Sequence, residues 1–224
     1  MKQTPPHDLY NDSILSIIRA LKSKSIIEVG CMRGSLAKEY LKDNSSSEWT
    51  GIDIDEENVS HAQKICHYAI RADIEKLMLS TLPNIENVDA WILGDVLEHL
   101  RDPWGLLRKI REISLSNATV IACIPNSQHW SFQVRVNSGM MQYQDEGLFD
   151  RTHLRFFSRT TIVQMFQEAG YTIKSMYSRS FDFPGFEKYL PSIRTMASLS
   201  GVDPDQAQAD ALAFQYVVEA VRAE

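Results

Sequence analysis

The sequence predicts an α/β fold in which a mostly parallel β-sheet carries helices on both faces. Extended and helical segments alternate along much of the 224-residue chain, which is typical of crossover connections between parallel strands. Two extended segments, residues 88–93 and 118–124, are almost continuously apolar. Because helices on both faces would bury such strands completely, we expect them in the middle of the sheet.

The elements of the first half follow one another in a regular order. Asp12 is the expected N-cap of a first helix, in which apolar residues recur at helical spacing. Asp102 and Pro103 fit the cap and the first position of a helix between the two central strands. The segments that separate these two helices predict a strand at 25–30, a helix at 36–41, a strand at 49–54 and a helix at 56–66.

The second half departs from this regular alternation. Residues 126–157 hold aromatic and charged residues without sustained periodicity, and the stretch is too long for an ordinary connection. Ser158 can cap a helix that closes at Gly170. After it, residues 171–178 and 214–221 are predicted to form the last two strands.

The length favours one domain with two insertions. A chain of 224 residues is long enough for one α/β core and short for two. We therefore expect residues 1–224 to form a single domain with lid insertions at about 126–157 and 180–211. The alanine-rich stretch 207–213 predicts a short helix within the second insertion.

Composition argues against nucleic acid and membranes as partners. The chain has 23 Lys and Arg against 29 Asp and Glu, a net charge of −6, and no basic stripe that could follow a phosphate backbone. No segment approaches the roughly 20 apolar residues that span a bilayer, and no signal-peptide pattern is present. We expect a cytoplasmic protein. The spacing of its three cysteines and six histidines matches no metal motif, so we also expect no required metal.

The strongest local signal is a glycine turn between a strand and a helix, in residues 26–41. An apolar strand reaches Glu28, and Gly30 and Gly34 then precede the helix, where glycine allows a tight turn and a close approach to a ligand. Alone this spacing is weak, since Gly34 could serve helix packing only. Asp53 ends the next strand, where a ribose needs hydrogen-bond acceptors. The alternatives for Asp53 are a solvated strand end or a helix cap.

Four segments together resemble the class I S-adenosylmethionine-dependent methyltransferases. EVGCMRG, GIDID, RADIEKL and GDVLEHLRDP occur in the order and spacing of that family's motifs, and the resemblance covers roughly residues 20–178. It implies a Rossmann-like fold with a seven-stranded, mostly parallel sheet and a lid. It also implies S-adenosyl-L-methionine as cofactor and S-adenosyl-L-homocysteine as product. A dinucleotide-binding oxidoreductase would instead prefer a complete G-x-G-x-x-G.

The resemblance assigns cofactor contacts along the sheet edge. Met32 stands where the family usually has the middle glycine of the turn. Asp73 has a second interpretation, as the N-cap of a helix. The implied cofactor residues are Glu28, Gly30, Cys31 and Gly34 at the amino-acid end, Asp53 at the ribose, Ile54, Asp73 and Ile74 at the adenine, and Asp95 and Val96 beside the methyl group.

Asp95 and three histidines are the candidates for catalysis. Asp95 and His99 follow a central strand, although His99 could be a structural residue of its loop. His153 lies in DRTHLRFF, which resembles a segment of methyltransferases from bacterial sugar and surface-glycan pathways, and Asp150 could fix its tautomer. A structural His153 is the alternative. His129 follows a strand and could face the cleft, whereas Glu98 is expected to face solvent.

These residues lead to an expected function with open alternatives. We expect methyl transfer to a hydroxyl of a small-molecule or carbohydrate-type acceptor, because a His in the cleft can act as a general base. The alternatives are N-methylation of a small metabolite and a cofactor-binding module without catalysis. The sequence does not predict an oligomeric state.

Overall fold

Seven strands form one sheet in the computed structural model, which describes residues 9–182 and 184–223. The strands are β1 (Ser25–Val29), β2 (Glu48–Asp53), β3 (Tyr68–Arg71), β4 (Ala90–Gly94), β5 (Thr119–Pro125), β6 (Tyr171–Arg179) and β7 (Gln215–Arg222). The helices are α1 (Asp12–Leu21), α2 (Ser35–Asp43), α3 (Glu56–Ala62), α4 (Pro103–Ile113), α5 (Trp130–Asn137), α6 (Arg159–Glu168), α7 (Leu190–Leu199) and α8 (Pro204–Leu212). Within the two described ranges, no helix combines the length and the apolar composition that crossing a membrane requires.

The strand order across the sheet is β3-β2-β1-β4-β5-β7-β6. Neighbouring strands are parallel except around β7, which runs antiparallel to both β5 and β6. The order reverses between β1 and β4, and open α/β sheets bind ligands in the crevice at such a switch point. The predicted fold, a seven-stranded and mostly parallel sheet with helices on both faces, is confirmed.

Successive side chains of the central strands enter two different apolar cores. In β4, Trp91 and Leu93 point into one core and Ile92 points into the other. Helices α4 and α6 cover the first core, and α1, α2 and α3 cover the second. Because both faces are buried, the central strands are apolar throughout instead of alternating with polar residues.

The first helix has a different cap from the one expected. Asn11, not Asp12, is the N-cap of α1, since its Oδ1 accepts hydrogen bonds from the backbone nitrogens of Ser13 and Ile14 at 3.0 and 3.3 Å. Asp12 is the first helical residue, where its charge still favours the positive end of the helix dipole. The predicted caps Asp102 and Ser158 are confirmed.

The region after β2 also differs from its expected form. The helix predicted at 56–66 ends at Ala62, and the chain then turns so that Cys66 packs near Gly51 of β2. Strand β3, which no sequence pattern indicated, follows at the edge of the sheet. Each of its four residues is partly or fully exposed, so it shows neither an apolar run nor a clear alternation.

Both insertions contain helices. The first insertion, residues 126–157, includes α5, which has no buried residue and therefore lacks the apolar periodicity that would reveal it. The second, residues 180–211, brings α7 and α8 against each other. Helix α8 begins at Pro204, earlier than the predicted stretch 207–213, because the Asp203 side chain caps it.

Left-handed residues shape the turn between β1 and α2. Gly30, Met32 and Gly34 have φ values of 71°, 47° and 80°. The turn is bound to β2, because Gly30 N donates to Ile52 O at 2.7 Å and Met32 N donates to Asp53 Oδ2 at 2.9 Å. The hydrogen bond from Met32 holds a non-glycine residue in a conformation that usually favours glycine.

Position 30 requires glycine for two reasons: the backbone has a positive φ, and a side chain would not have room. A Cβ at this position would stand 2.9 Å from Val96 Cγ2. Val96 is buried and its β-branched side chain has little freedom to move away. Gly139 has a similar φ of 73°, yet a Cβ there would meet nothing within 4 Å.

We expect Gly30→Ala to destabilise the protein more than Gly139→Ala. Both variants carry the cost of a left-handed alanine, about 1 kcal/mol. Gly30→Ala adds overpacking against Val96, which costs a further amount of about 1 to 3 kcal/mol. Urea unfolding of the two variants measures the difference directly. Equal losses would contradict the proposed contact with Val96.

Candidate active site

A cavity of about 860 Å³ lies at the carboxyl ends of the central strands. This volume is in the upper part of the range of about 300 to 1,000 Å³ that is usual for ligand pockets. The first insertion covers one side of it. The residues singled out from the sequence that line the cavity are Glu28, Gly30, Cys31, Asp53, Ile54, Asp73, Ile74, Asp95, Val96, His99 and His153.

Glu28 is a buried carboxyl group at the end of β1. Its Oε2 accepts a hydrogen bond from Trp49 Nε1 at 3.1 Å. Burial raises the pKa of Glu28, the bond from Trp49 opposes this effect and the charge of Asp53 adds to it, and together they bring the pKa to about 8. A cationic ligand group beside Glu28 would therefore stabilise its ionised form.

Asp53 ties the end of β2 to the glycine turn. Its Oδ2 accepts from Met32 N, and its Oδ1 accepts from Asp55 N at 2.9 Å. Asp55, not Asp53, caps α3, because the Asp55 side chain accepts from the backbone nitrogens of Glu57 and Asn58. The turn and the Asp53 carboxylate thus meet at one wall of the cavity.

The next part of the wall combines two isoleucines with one carboxylate. Ile54 is 48% exposed although it is a large apolar residue, and Ile74 is buried. Asp73 accepts from Glu75 N in a single turn, so the helix considered for this segment does not form. Lys76 Nζ lies 2.8 Å from Asp73 Oδ2, and this bond lowers the pKa of Asp73.

The other two residues assigned to the glycine turn differ in position. Cys31 lines the cavity and is buried, and burial raises the pKa of its thiol strongly. Gly34 does not line the cavity. A Cβ on Gly34 would stand 3.4 Å from Ala62 Cα, so this glycine serves the close packing of α2 and α3. That was the alternative left open for Gly34.

Asp95 and Val96 form the middle of the wall after β4. Asp95 has a φ of 53°, a strained conformation that is frequent at functional sites. Its Oδ1 accepts a hydrogen bond from Gln215 Nε2. The Asp95 side chain is open to the cavity but enclosed by protein, and this desolvation raises its pKa to about 6 against the opposing charge of Arg179.

Glu98 is buried, so the expectation that it faces solvent is wrong. It is 1% exposed, and neither carboxylate oxygen has a hydrogen-bond partner among the described residues. The first insertion causes this burial, since Leu154 N and Arg155 N donate to Glu98 O at 2.8 and 3.1 Å. Burial, and then the charge of Asp95, raise the pKa of Glu98 well above its usual range.

His99 and His153 lie next to each other beside Glu98. Each Nε2 is 4.0 Å from Glu98 Oε1, and the ring centroids are 4.8 Å apart. His99 Nδ1 lies 3.2 Å from the Thr152 carbonyl oxygen. Because a carbonyl only accepts, Nδ1 carries the proton and Nε2 has a free lone pair. Burial lowers the pKa of His99, and it lowers that of His153 to about 4.

His129 does not reach the cavity wall. Its Nδ1 pairs with Ser131 Oγ at 2.8 Å and accepts from Ser131 N, so the side chain caps α5. Its ring packs against Trp130 and Phe214, and burial lowers its pKa to about 4. Among the four candidates for catalysis, it is the one that the structure separates from the others.

Several residues that line the cavity were not selected from the sequence. They include Asn11, Arg179, Phe214 and Gln215. Gln215 pairs with Pro125 at the carboxyl end of β5, because β7 runs antiparallel to β5. Because β7 is antiparallel to β5, it begins at the ligand-binding edge of the sheet. This rule could have indicated Gln215 and its neighbour Phe214.

The chemistry of the wall fits S-adenosylmethionine. The Glu28 carboxyl group suits a cationic amino group, and the Asp53 oxygens retain lone pairs for ribose hydroxyls. Ile54 and Ile74 present apolar surface to a flat aromatic ring. A cation and an apolar ring on one molecule would therefore each meet a suitable partner along this wall.

Comparison with known proteins supports the same assignment. The family described as "Methyltransferase domain" matches residues 8–176. Magnesium protoporphyrin IX methyltransferase from Synechocystis PCC 6803 with bound SAH has a TM-score of 0.61 at 15% identity, covering 95% of this chain and 81% of that one. A SAM dependent methyltransferase from Archaeoglobus fulgidus gives 0.59 at 17%, covering 94% of each chain. The plantazolicin methyltransferase BpumL gives 0.60 at 17%, covering 95% and 80%.

No curated protein is a significant match to this sequence. The structural similarities, all below 25% identity, show the fold. The family match spans well over half of the chain and includes the glycine turn, Asp53, Asp95 and His153. The chain therefore belongs to the methyltransferase domain family and is an S-adenosylmethionine-dependent methyltransferase.

Proposed function

We propose that the enzyme transfers a methyl group to a hydroxyl of a small-molecule or carbohydrate-type acceptor. The observation that carries this proposal is the polar, enclosed end of the cavity, where the Nε2 atoms of His99 and His153 both lie 4.0 Å from Oε1 of the buried Glu98. A hydroxyl becomes a good nucleophile when it loses its proton, and lone pairs at this end favour that loss. A neutral amine has no such need.

The chain's own residues supply binding and orientation in this proposal. When bound, S-adenosylmethionine supplies an electrophilic methyl group on a positively charged sulfur. Glu28 holds its amino group and Asp53 its ribose hydroxyls, and Val96 and Gly30 limit its position beside β4. The first insertion closes over Glu98 and keeps bulk water away. Orientation of this kind accounts for much of the rate in a displacement reaction.

The mouth of the cavity has features that suit a ring-shaped acceptor. Phe181 and Phe214 both line it and meet edge to face at 5.2 Å. Aromatic rings bind the apolar face of a cyclic ligand, and Arg179 beside them can donate hydrogen bonds to its polar substituents. These contacts agree with a sugar or a phenol better than with a long polymer.

A panel of acceptors tests the proposal. The protein should be incubated with S-adenosylmethionine and sugars, phenols or primary amines, and product masses should be measured. We expect a gain of one methyl group on a hydroxyl acceptor. An RNA oligonucleotide also carries sugar hydroxyls and serves as the control for the charge argument. Methylation of amines alone would contradict the proposal, and cofactor binding without any turnover would favour a non-catalytic module.

Asp53→Ala should weaken S-adenosylhomocysteine binding. Loss of at least one hydrogen bond to a charged group, worth about 1.5 to 3 kcal/mol, predicts an affinity at least about tenfold lower. Asp55→Ala is the matched control, because Asp55 caps α3 and does not line the cavity. Calorimetry should find unchanged affinity for the control. Similar affinities for both variants would exclude ribose binding by Asp53.

From the raised pKa of Glu28, we expect proton release when the ligand binds. Its pKa of about 8 means that it carries a proton at pH 7 in the free protein. A ligand ammonium beside it would lower that pKa, so binding should release about one proton at pH 7 and almost none at pH 9. Calorimetry of S-adenosylhomocysteine in buffers of different ionisation enthalpy measures this number.

The Glu28→Gln variant is the control for that measurement. Glutamine has a similar shape and cannot release a proton, so any proton exchange on the ligand itself remains in the variant and can be subtracted. If Glu28→Gln releases as many protons as the unaltered protein, the ammonium group does not lie beside Glu28.

A further inference from the structure

Three side chains with metal-binding atoms converge at the acceptor end of the cavity. Glu98, His99 and His153 each line it, and one ligand atom from each lies within 4.8 Å of the others. The two histidines come from different parts of the chain, one after β4 and the other from the first insertion. Their approach is therefore a product of the fold.

Glu98 is the unusual member of this group. Both carboxylate oxygens are buried without a hydrogen-bond partner among the described residues. Burying such a group without a partner is unfavourable, and buried unsatisfied polar atoms in native proteins usually have a functional or ligand-related reason. The Nε2 atoms of His99 and His153 stand 4.0 Å from Oε1, too far away to form a hydrogen bond with it.

The two imidazoles are oriented as metal ligands usually are. His99 Nδ1 donates toward the Thr152 carbonyl at 3.2 Å, and Thr152 Oγ1 is 3.0 Å away from the same nitrogen. Thr152 Oγ1 gives its own proton to Asp150 at 2.6 Å, so it accepts from His99. His153 has a backbone hydrogen bond to Leu148. Outer partners of this kind fix the tautomer of histidines that bind metals.

The ligand atoms of the three side chains converge at one point. Glu98 offers two oxygens without a hydrogen-bond partner among the described residues, His99 offers its free Nε2, and His153 Nε2 lies at the same 4.0 Å from Glu98 Oε1. We propose that Glu98, His99 and His153 bind one divalent transition-metal ion, with open coordination positions that receive the acceptor hydroxyl.

The distances require a small contraction on binding. Ligand atoms bonded to a metal at about 2.1 Å stand about 3 to 3.5 Å apart, compared with 4.0 Å between Nε2 and Oε1 here. Side-chain rotations can bring the three atoms together. Two imidazoles and one carboxylate suit Zn²⁺, Fe²⁺ or Mn²⁺, whereas Mg²⁺ prefers oxygen ligands alone.

The catalytic part of this inference rests on the proposed hydroxyl acceptor. A hydroxyl held at an open position of the ion would lose its proton to water in the cavity, because the positive charge stabilises the oxygen anion. That oxygen lone pair forms the new O–C bond, and the electron pair of the breaking C–S bond stays on sulfur. In this role His99 and His153 bind the ion, and the ion takes over the part in deprotonation that the proposed function gives to their lone pairs.

Metal binding can be measured without any acceptor. Protein without a histidine tag, freed of metal by chelation, should be titrated with Zn²⁺ by calorimetry and with Co²⁺ by visible absorption. We expect one ion per chain, and Co²⁺ bands typical of low coordination number with nitrogen and oxygen ligands. Absence of stoichiometric binding of both ions would overturn the inference.

Substitutions identify the ligands. Glu98→Gln and His153→Ala should each weaken Co²⁺ binding by about 100-fold or more, since even outer partners contribute 10- to 100-fold. His61→Ala, which removes a histidine of α3 away from the cavity, should bind like the unaltered protein. S-adenosylhomocysteine binding reports whether each variant is folded. Folded variants that retain full Co²⁺ affinity would overturn the inference.

A methyl-transfer assay distinguishes failure of this inference from failure of the proposed function. With a hydroxyl acceptor, activity should fall at least about tenfold in the chelated enzyme and return with added metal. Equal activity of the chelated and loaded enzymes would overturn the catalytic role of the ion. If no hydroxyl acceptor is found while stoichiometric binding depends on Glu98 and His153, the proposed function fails and the metal site stands.

Discussion

The contact between Gly30 and Val96 is the constraint on which the site depends. It lies where β1 and β4 are neighbours and the sheet order reverses, so the crevice opens directly above it. A glycine without Cβ lets the turn after β1 approach the segment after β4. This approach joins the wall that holds Glu28 and Asp53 to the wall that continues through Asp95 into the acceptor end.

Carboxyl groups give the cavity its electrostatic character. Glu28, Asp95 and Glu98 all line it, Glu28 and Glu98 are buried, and desolvation raises the pKa of each. Burying such groups without a counter-charge is costly, and a cationic ligand reverses that cost. S-adenosylmethionine brings positive charge at its sulfur and amino groups, and the proposed ion would bring it at Glu98. The same property would thus favour binding of the cofactor and of the proposed ion.

Local sequence patterns indicated residues at the proposed cofactor end of the cavity. The proposed acceptor end depends on contacts between residues far apart in the sequence, which no local pattern shows. The glycine turn and Asp53 are marked by glycines and a strand-terminal carboxylate, and helical packing explains Gly34. Strand β3 and helix α5 bury too little apolar surface to leave a periodic pattern. Glu98 looked solvent-facing because the residues that cover it lie more than fifty positions later. The same separation kept His99 and His153 from showing any metal-like spacing.

The first insertion therefore contributes residues to the site in addition to covering it. Backbone hydrogen bonds from Leu154 and Arg155 to Glu98 O fix this segment of the insertion beside the turn after β4, and His153 is adjacent to it in sequence. The adjoining Thr152 orients His99 at the same time. One docking event thus buries Glu98, positions both imidazoles and closes the acceptor end. If the proposed ion is bound at this end, a movement of the insertion away from the turn after β4 would also separate His153 from the other two proposed ligands.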